Sequence, residues 1–306
     1  MRLNRSNSSA PFARNLGWVC ATFLLGVTTV SFFDWPGPLF TPFLPQIVVV
    51  ALLLLLTMWR LKAGASVFIV LLVVSINAGR IGYRLSEIEP LPSQAAGVET
   101  RLIFSNLLVS NVDYDRLIGQ IDIQKPHILA VTETTSGWTQ RLSALSAYPY
   151  QYSPPEGINV GAVYAQQPFH AEQILLKGAR IYVTRAQFAR FVLFVAHPPP
   201  PESRNSSETN ASYLAELASF TSKETLPVLV VGDLNATLWS KSFQPLLDAG
   251  LKPSVNTGFL QTWPTSVPPM GIQIDHVLGR KVSSIQLRPL PTIGSDHFPI
   301  LADFVI

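Results

Sequence analysis

Residues 227–235 read Pro-Val-Leu-Val-Val-Gly-Asp-Leu-Asn, a short aliphatic and β-branched run that breaks at Gly232 and leaves two polar side chains, Asp233 and Asn235, just beyond it. Such a run predicts a strand at Pro227–Val231. The pattern recurs along the chain. Thr100–Ser110 carries Asn106, Glu133 closes Ile128–Thr132, and His197 closes Phe191–Ala196. Asp275 and His276 fall within Gln273–Leu278, and Asp296 and His297 stand just before Phe298–Val305. Strand interiors bury side chains and strand ends present them to a cleft, so these runs predict carboxylates, amides and imidazoles gathered at one sheet edge. Taken singly, each has a plain explanation: Gly232-Asp233 suits a turn, Glu133 a helix N-cap neighbour, and His197 a hydrogen-bonded histidine before a proline loop.

The rest of this region supports a sheet-rich fold. Further strands are predicted at Val160–Ala165 and Ile181–Thr184. Asp113 can cap a helix with Leu117, Ile118 and Ile121 on one face, and another helix is predicted at Ala211–Ser222. Between them, Pro198–Asn210 (PPPPESRNSSETN) reads as a mobile surface excursion, too polar and proline-rich to pack. Many strands with few helices predict a layered α/β sandwich and not a series of parallel βαβ units.

The first 80 residues belong to a different regime. Charged residues make up 13% of the 306-residue chain, and three apolar runs stand out: Leu16–Phe33, Phe43–Trp59 and about Ala63–Ile81. Each extends roughly 25 to 30 Å as a helix, close to the hydrocarbon thickness of a bilayer. Three in succession predict transmembrane helices, giving an anchor at 1–83, a linker at 84–99 and a soluble domain at 100–306. Arg2, Arg5 and Arg14 precede the first run, and Arg60 and Lys62 lie between the second and third, whereas 34–42 has no Lys or Arg. The positive-inside rule then puts the N-terminus in the cytoplasm and the C-terminal domain outside it, at the periplasmic side of an inner membrane. Arg80 and Arg84 run against this scheme.

Charge and cysteine content exclude several classes. Five basic and one acidic side chain precede residue 80, leaving 17 basic and 18 acidic from Arg80 onward. The soluble part therefore lacks the cationic excess of a protein built around phosphate-backbone binding. The single cysteine, Cys20, excludes a disulfide framework and a cysteine zinc site.

The ordered set Asn106, Glu133, His197, Gly232-Asp233-Leu234-Asn235, Asp275-His276 and Ser295-Asp296-His297 resembles the endonuclease/exonuclease/phosphatase superfamily over about Thr100–Ile306. Membrane-anchored bacterial members are the nearest in kind, and Thr262-Trp263-Pro264 adds to that likeness. The resemblance implies a four-layer α/β sandwich and a phosphoesterase using Mg²⁺ or Mn²⁺. It implies Glu133 as principal metal ligand with Asn106 and Asp296 beside it. Asp233 would orient or deprotonate water, Asn235 would hold a phosphate oxygen, and His297 would contact the phosphate with Asp275 on its other nitrogen. His197 would sit near the leaving group, and His276 would be structural.

Two features depart from the superfamily pattern or leave it open. His127 follows Pro126 where an aspartate is common, and Arg204 is the one candidate for an arginine after the proline loop. Asn235-Ala236-Thr237 is formally a glycosylation sequon, and modification there would block the site. The implied partners are a lipid bilayer and a phosphate-ester substrate, nucleic acid or lipid-derived, with no protein partner. The functions to separate are a phosphodiesterase or nuclease, a lipid or head-group phosphoesterase, and a non-catalytic membrane binding module.

Overall fold

The computed structural model describes residues 9–60, 64, 66–154 and 160–306. Arg2, Arg5, Lys62 and the first residues of the third apolar run, which enter the orientation argument, lie outside the described residues. The chain divides into two compact units, 1–87 and 88–306.

The first unit contains α1 (Ser9–Val30), α2 (Leu44–Arg60) and α3 (Ser66–Ser86). Two stretches, Gly37–Arg60 and Ser66–Ser86, are long and apolar enough to cross a membrane, while the apolar part of α1, Asn15–Val30, is shorter. Buried polar side chains tie these helices together: Asn77 Nδ2 donates to Thr28 Oγ1 at 2.9 Å. Arg80 donates to Ser31 Oγ at 2.6 Å and lies over the Phe32 ring, so this cation is absorbed by its own unit.

In the second unit the elements run β1 (Glu99–Asn106), α4 (Tyr114–Gln124), β2 (Ile128–Thr132), α5 (Ser136–Ser143), β3 (Tyr150–Tyr152), β4 (Ala162–Ala165), β5 (Phe169–Leu176), β6 (Ile181–Phe188) and β7 (Val192–Ala196). They continue with α6 (Arg204–Lys223), β8 (Val228–Asp233), α7 (Gln244–Asp248), β9 (Lys252–Pro253), β10 (Asp275–Arg280), β11 (Ser284–Pro289) and β12 (Ile300–Val305). The strands form two six-stranded mixed sheets, ordered β11-β12-β1-β2-β4-β3 and β5-β6-β7-β8-β10-β9.

Alternation along each strand builds the layers. Leu102 and Phe104 of β1 point into a core shared with Leu193, Val195, Leu229, Val231 and Val277 of the other sheet. Ile103, between them, points the other way, into a second core with Leu117 and Ile121 of α4 and Trp138 and Leu142 of α5. Tyr213, Leu214 and Leu217 give α6 a buried face of its own. The result is the α/β sandwich of two mixed sheets packed with helices.

The segment 198–210 departs from the mobile excursion read from its composition. Helix α6 starts at Arg204, not near Ala211, because Ser203 and Ser206 form a reciprocal capping box that satisfies the first-turn N–H groups. Asn210, fully buried, donates to the carbonyls of Pro199 and Leu234, pinning the proline run to the loop after β8.

Candidate active site

Strand register brings the polar residues to one level. In the antiparallel β8–β10 pair Asp233 stands opposite Asp275, so a residue that opens β10 meets one that closes β8. Parallel pairing sets Ala196 against Gly232, which puts His197 and Asp233 at matching strand ends. The parallel β1–β2 pair aligns Asn106 with Thr132, and Glu133 is the next residue. Gly232 is required where the strands come close: a Cβ there would collide with the Ala196 carbonyl. Glu133 and Asn235 have left-handed backbones, φ 56° and 47°. Such geometry in a non-glycine residue costs on the order of 1–3 kcal/mol and persists where the surrounding structure holds it, as at functional sites.

The side chains form a continuous network. Asn106 Nδ2 donates to Glu133 Oε1 at 2.9 Å and to Asp233 Oδ2 at 3.1 Å. The Val109 N–H donates to Glu133 Oε2 at 3.1 Å. His197 Nε2 lies 3.7 Å from Glu133 Oε1 and 3.5 Å from Asp233 Oδ2. His297 bridges the two central carboxylates, with Nε2 3.6 Å from Asp233 Oδ2 and Nδ1 2.9 Å from Asp275 Oδ2. The Asn235 N–H donates to Asp233 Oδ1 at 2.9 Å, while its side-chain amide donates to the Pro198 carbonyl at 3.0 Å. Seven of the residues singled out in the sequence thus meet in one network. Asp296 is held differently: its Oδ2 accepts the Trp263 indole N–H at 3.0 Å. Arg204 is an exposed residue in the first turn of α6.

The network has a floor and a mouth. The Asp275 side chain is 1% exposed and that of Glu133 20%. At the floor, burial opposes charge on His297, but Asp275 and Asp233 outweigh it and raise the imidazolium pKa from 6.5 to about 10. Burial also acts against the Asp233 carboxylate, yet His297, His197 and the Asn235 N–H overcome it and hold that group below its ordinary value. For Asp275 burial prevails over the neighbouring imidazolium and its pKa is raised. His276 shows the contrary case. Its Nε2 faces the Ala236 carbonyl at 2.9 Å and its ring packs against Phe243, and burial lowers its pKa to about 4.

The donor set suits a hard divalent cation, being rich in carboxylate oxygen with imidazole nearby. Asp233, Asp275 and His297 offer ligand atoms within 4.8 Å of one another. A cation among those three would first have to displace the His297 proton, whereas the edge between Glu133 and Asp233 carries oxygen donors and opens toward solvent. Asn106 turns its amide nitrogen to both carboxylates and its Oδ1 accepts from the Leu108 N–H at 3.0 Å, so metal ligation through its oxygen requires the amide to turn.

Several supporting residues carry no catalytic signature in the sequence. Ser295 Oγ donates to the Asn106 carbonyl at 2.8 Å and accepts from the His297 N–H at 3.1 Å, joining two parts of the site. Thr262 Oγ1 accepts from the N–H groups of Ile274 and Asp275. The Tyr213 hydroxyl, on α6, accepts from the His197 N–H at 3.2 Å. Position within Thr262-Trp263-Pro264 and Ser295-Asp296-His297 was the one available clue for three of these neighbours, Thr262, Trp263 and Ser295; Tyr213 offered none.

Residues 103–297 match the Endonuclease/Exonuclease/phosphatase family, and the chain belongs to that family. It is accordingly an enzyme, a metal-dependent phosphoric ester hydrolase. No curated protein matches the chain in sequence. Among solved structures it is similar to sphingomyelinase C from Streptomyces griseocarneus, with TM-score 0.53, 14% identity, and coverage of 67% of this chain and 99% of that one. A beta toxin variant from Staphylococcus aureus with bound magnesium ions gives TM-score 0.53 at 17% identity, covering 67% and 99%. An AP endonuclease from Archaeoglobus fulgidus gives 0.53 at 14%, covering 68% and 100%. At these identities the likeness is one of fold.

Proposed function

We propose that the chain is a membrane-anchored phosphodiesterase or nuclease that uses Mg²⁺ or Mn²⁺ and works on the extracytoplasmic side of a cell membrane. In this reading residues 1–83 are the anchor, with spans at about 16–33, 43–59 and 63–81, 84–99 a linker, and 100–306 the catalytic domain. The observation that carries the enzymatic part is the unbroken path of contacts from Glu133 through Asn106 and Asp233 to His297 and Asp275.

Glu133, the most open carboxylate of that path, is the principal metal ligand, with Asn106 and Asp296 as the further ligands. When bound, the divalent ion supplies positive charge to the non-bridging phosphate oxygens. Asp233, held ionised between two imidazoles, accepts a hydrogen bond from the attacking water and orients it. His297 enters as imidazolium, donates from Nε2 to a phosphate oxygen, and is fixed through Nδ1 by Asp275. Asn235 offers its amide to another phosphate oxygen, and His197 faces the leaving group.

Glu133→Ala is expected to abolish hydrolysis of a soluble phosphodiester by the full chain in detergent, with Mg²⁺ or Mn²⁺ present. Inertness of the wild-type protein toward nucleic acid, phospholipid and generic phosphate esters alike refutes the reading. A lipid or head-group phosphoesterase is the second reading, favoured by the apolar helices and by the near balance of charge beyond residue 80. Cleavage of DNA and of liposomes across a salt series separates the two, because affinity built on backbone phosphates falls steeply with salt. Calorimetric titration with Mn²⁺ addresses the non-catalytic binding module: retained fold with no divalent-ion binding would favour it.

A further inference from the structure

From Pro253 to Ile274 the sequence is PSVNTGFLQTWPTSVPPMGI followed by Gln273-Ile274, 22 residues without one Asp, Glu, Lys or Arg. This stretch joins β9 to β10; Leu260 packs against the core and Ile272 and Ile274 are buried, but four other large apolar side chains stay outside it. Val255 is 52% exposed, Phe259 59%, Val267 49% and Met270 46%. Phe259, Leu260 and Pro268 also wall an open apolar groove of about 350 Å³ together with Pro289, Leu290 and Phe298. A charge-free, apolar excursion of this kind on a folded domain marks an interaction surface, and it can enter an apolar phase without stripping water from an ion.

The chain itself indicates what meets this surface. Only Glu87 and Ile88 separate the end of α3 at Ser86 from Glu89. Glu89 pairs with Lys252 at 2.5 Å, and the Leu91 N–H donates to the Pro253 carbonyl at 2.8 Å. Leu91 also forms a parallel bridge with Ser254, the residue before Val255. The strand-like segment that leaves α3 is therefore fastened to the first residues of the apolar stretch. At no more than about 3.6 Å per residue, the three steps from Ser86 to Glu89 span roughly 11 Å. A bilayer that holds α3 as far as Ser86 therefore has its boundary within about that chain length of Glu89, which is paired with Lys252 just before the stretch.

Resting on the membrane-anchored reading above, we infer that 255–270 is an interfacial docking surface that lays the catalytic domain on the lipid bilayer, with Val255, Phe259, Val267 and Met270 in the boundary between head groups and acyl chains. Moving such side chains out of water is favourable in proportion to the apolar area removed, and the stretch has no charge to offset that gain. Lys252, at the start of the stretch, remains at the head-group level with Glu89.

The test uses the full chain in phosphatidylcholine vesicles, with Cys20 replaced by Ser and a nitroxide placed on one cysteine at a time. Labels at 259, 267 and 270 are compared with one at Leu53, in α2, and one at Ile123, an exposed residue of α4. Collision rates with oxygen and with a water-soluble nickel complex report bilayer or aqueous surroundings. The expected result is a several-fold higher oxygen-to-nickel ratio at 259, 267 and 270 than at 123, approaching that at 53. A bilayer signature at 53 with water-like values at all three loop sites overturns this inference alone. Water-like values at 53 as well overturn the membrane reading on which it stands. As a second measurement, Val267→Asp/Met270→Asp should lose that elevated ratio at 259 while hydrolysing a soluble phosphodiester at the wild-type rate; an unchanged ratio contradicts the inference.

Discussion

Asp275 and His276 are consecutive residues at the start of one strand, yet they serve opposite sides of it. Asp275 faces the site and grips His297, whose imidazolium pKa is raised to about 10. His276 faces the packing side, between Phe243 and the Ala236 carbonyl, and its pKa is lowered to about 4. Burial is nearly the same for His276 and His297, at 0% and 5% exposure. The difference lies in the partners: carboxylates on the site side, one backbone oxygen and an aromatic ring on the other. Burial by itself expels charge, and only specific counter-charges keep it inside.

The sharpest way to break this contrast is Asp275→Asn, which keeps the shape and removes the counter-charge. Hydrolysis of a model phosphodiester is expected to fall by about 10²- to 10⁴-fold, the range associated with a positioned proton-handling group. In the same variant the His297 pKa should move down toward its ordinary 6.5, read by NMR of the imidazole carbons. In the wild type that resonance should stay in its protonated position through neutral pH. The sign follows from linkage: a raised folded-state pKa stabilises fully below 6.5, and that contribution is lost as pH rises toward about 10.

His276 gives the mirror effect, smaller and in acid. Its folded pKa is below the ordinary 6.5, so protonation favours the unfolded chain, and stability drains as pH falls from 6.5 toward about 4. The loss amounts to roughly 3 kcal/mol at most. His276→Gln should remove much of that acid limb in denaturant melts without altering the pH profile of catalysis. The smallest expected effect lies outside both sides of the strand. Ser203→Ala removes the α6 cap and should cost about 1 kcal/mol of stability, with activity preserved because the Asn210 contacts remain.

The sequence made the polar strand ends legible because each combines an apolar run with one ionisable residue at its boundary. Asp233 and Asp275 could be placed near each other only through an antiparallel pairing, which no local pattern encodes. The short edge strands were less readable: Tyr150–Tyr152 and Ser284–Pro289 are half-exposed pieces whose identity depends on their neighbours. The capped start of α6 was hidden by composition, since Ser203, Ser206 and Asn210 favour loops as readily as helix ends. In the N-terminal unit, hydropathy identified all three helices, but among the described residues only two stretches meet the length and apolarity of a span. Tyr213, which braces His197, became visible only when distant segments met.

The most direct measurement is hydrolysis of a soluble phosphodiester by the full chain in detergent, with Mn²⁺ and then with excess chelator, for wild type and Asp233→Asn. Metal-dependent turnover that chelation stops, restored by added Mn²⁺ in the wild type but not in the folded Asp233→Asn variant, is the expected outcome. Turnover indifferent to the chelator, or a variant as active as wild type, would contradict a metal-supported centre built around Asp233.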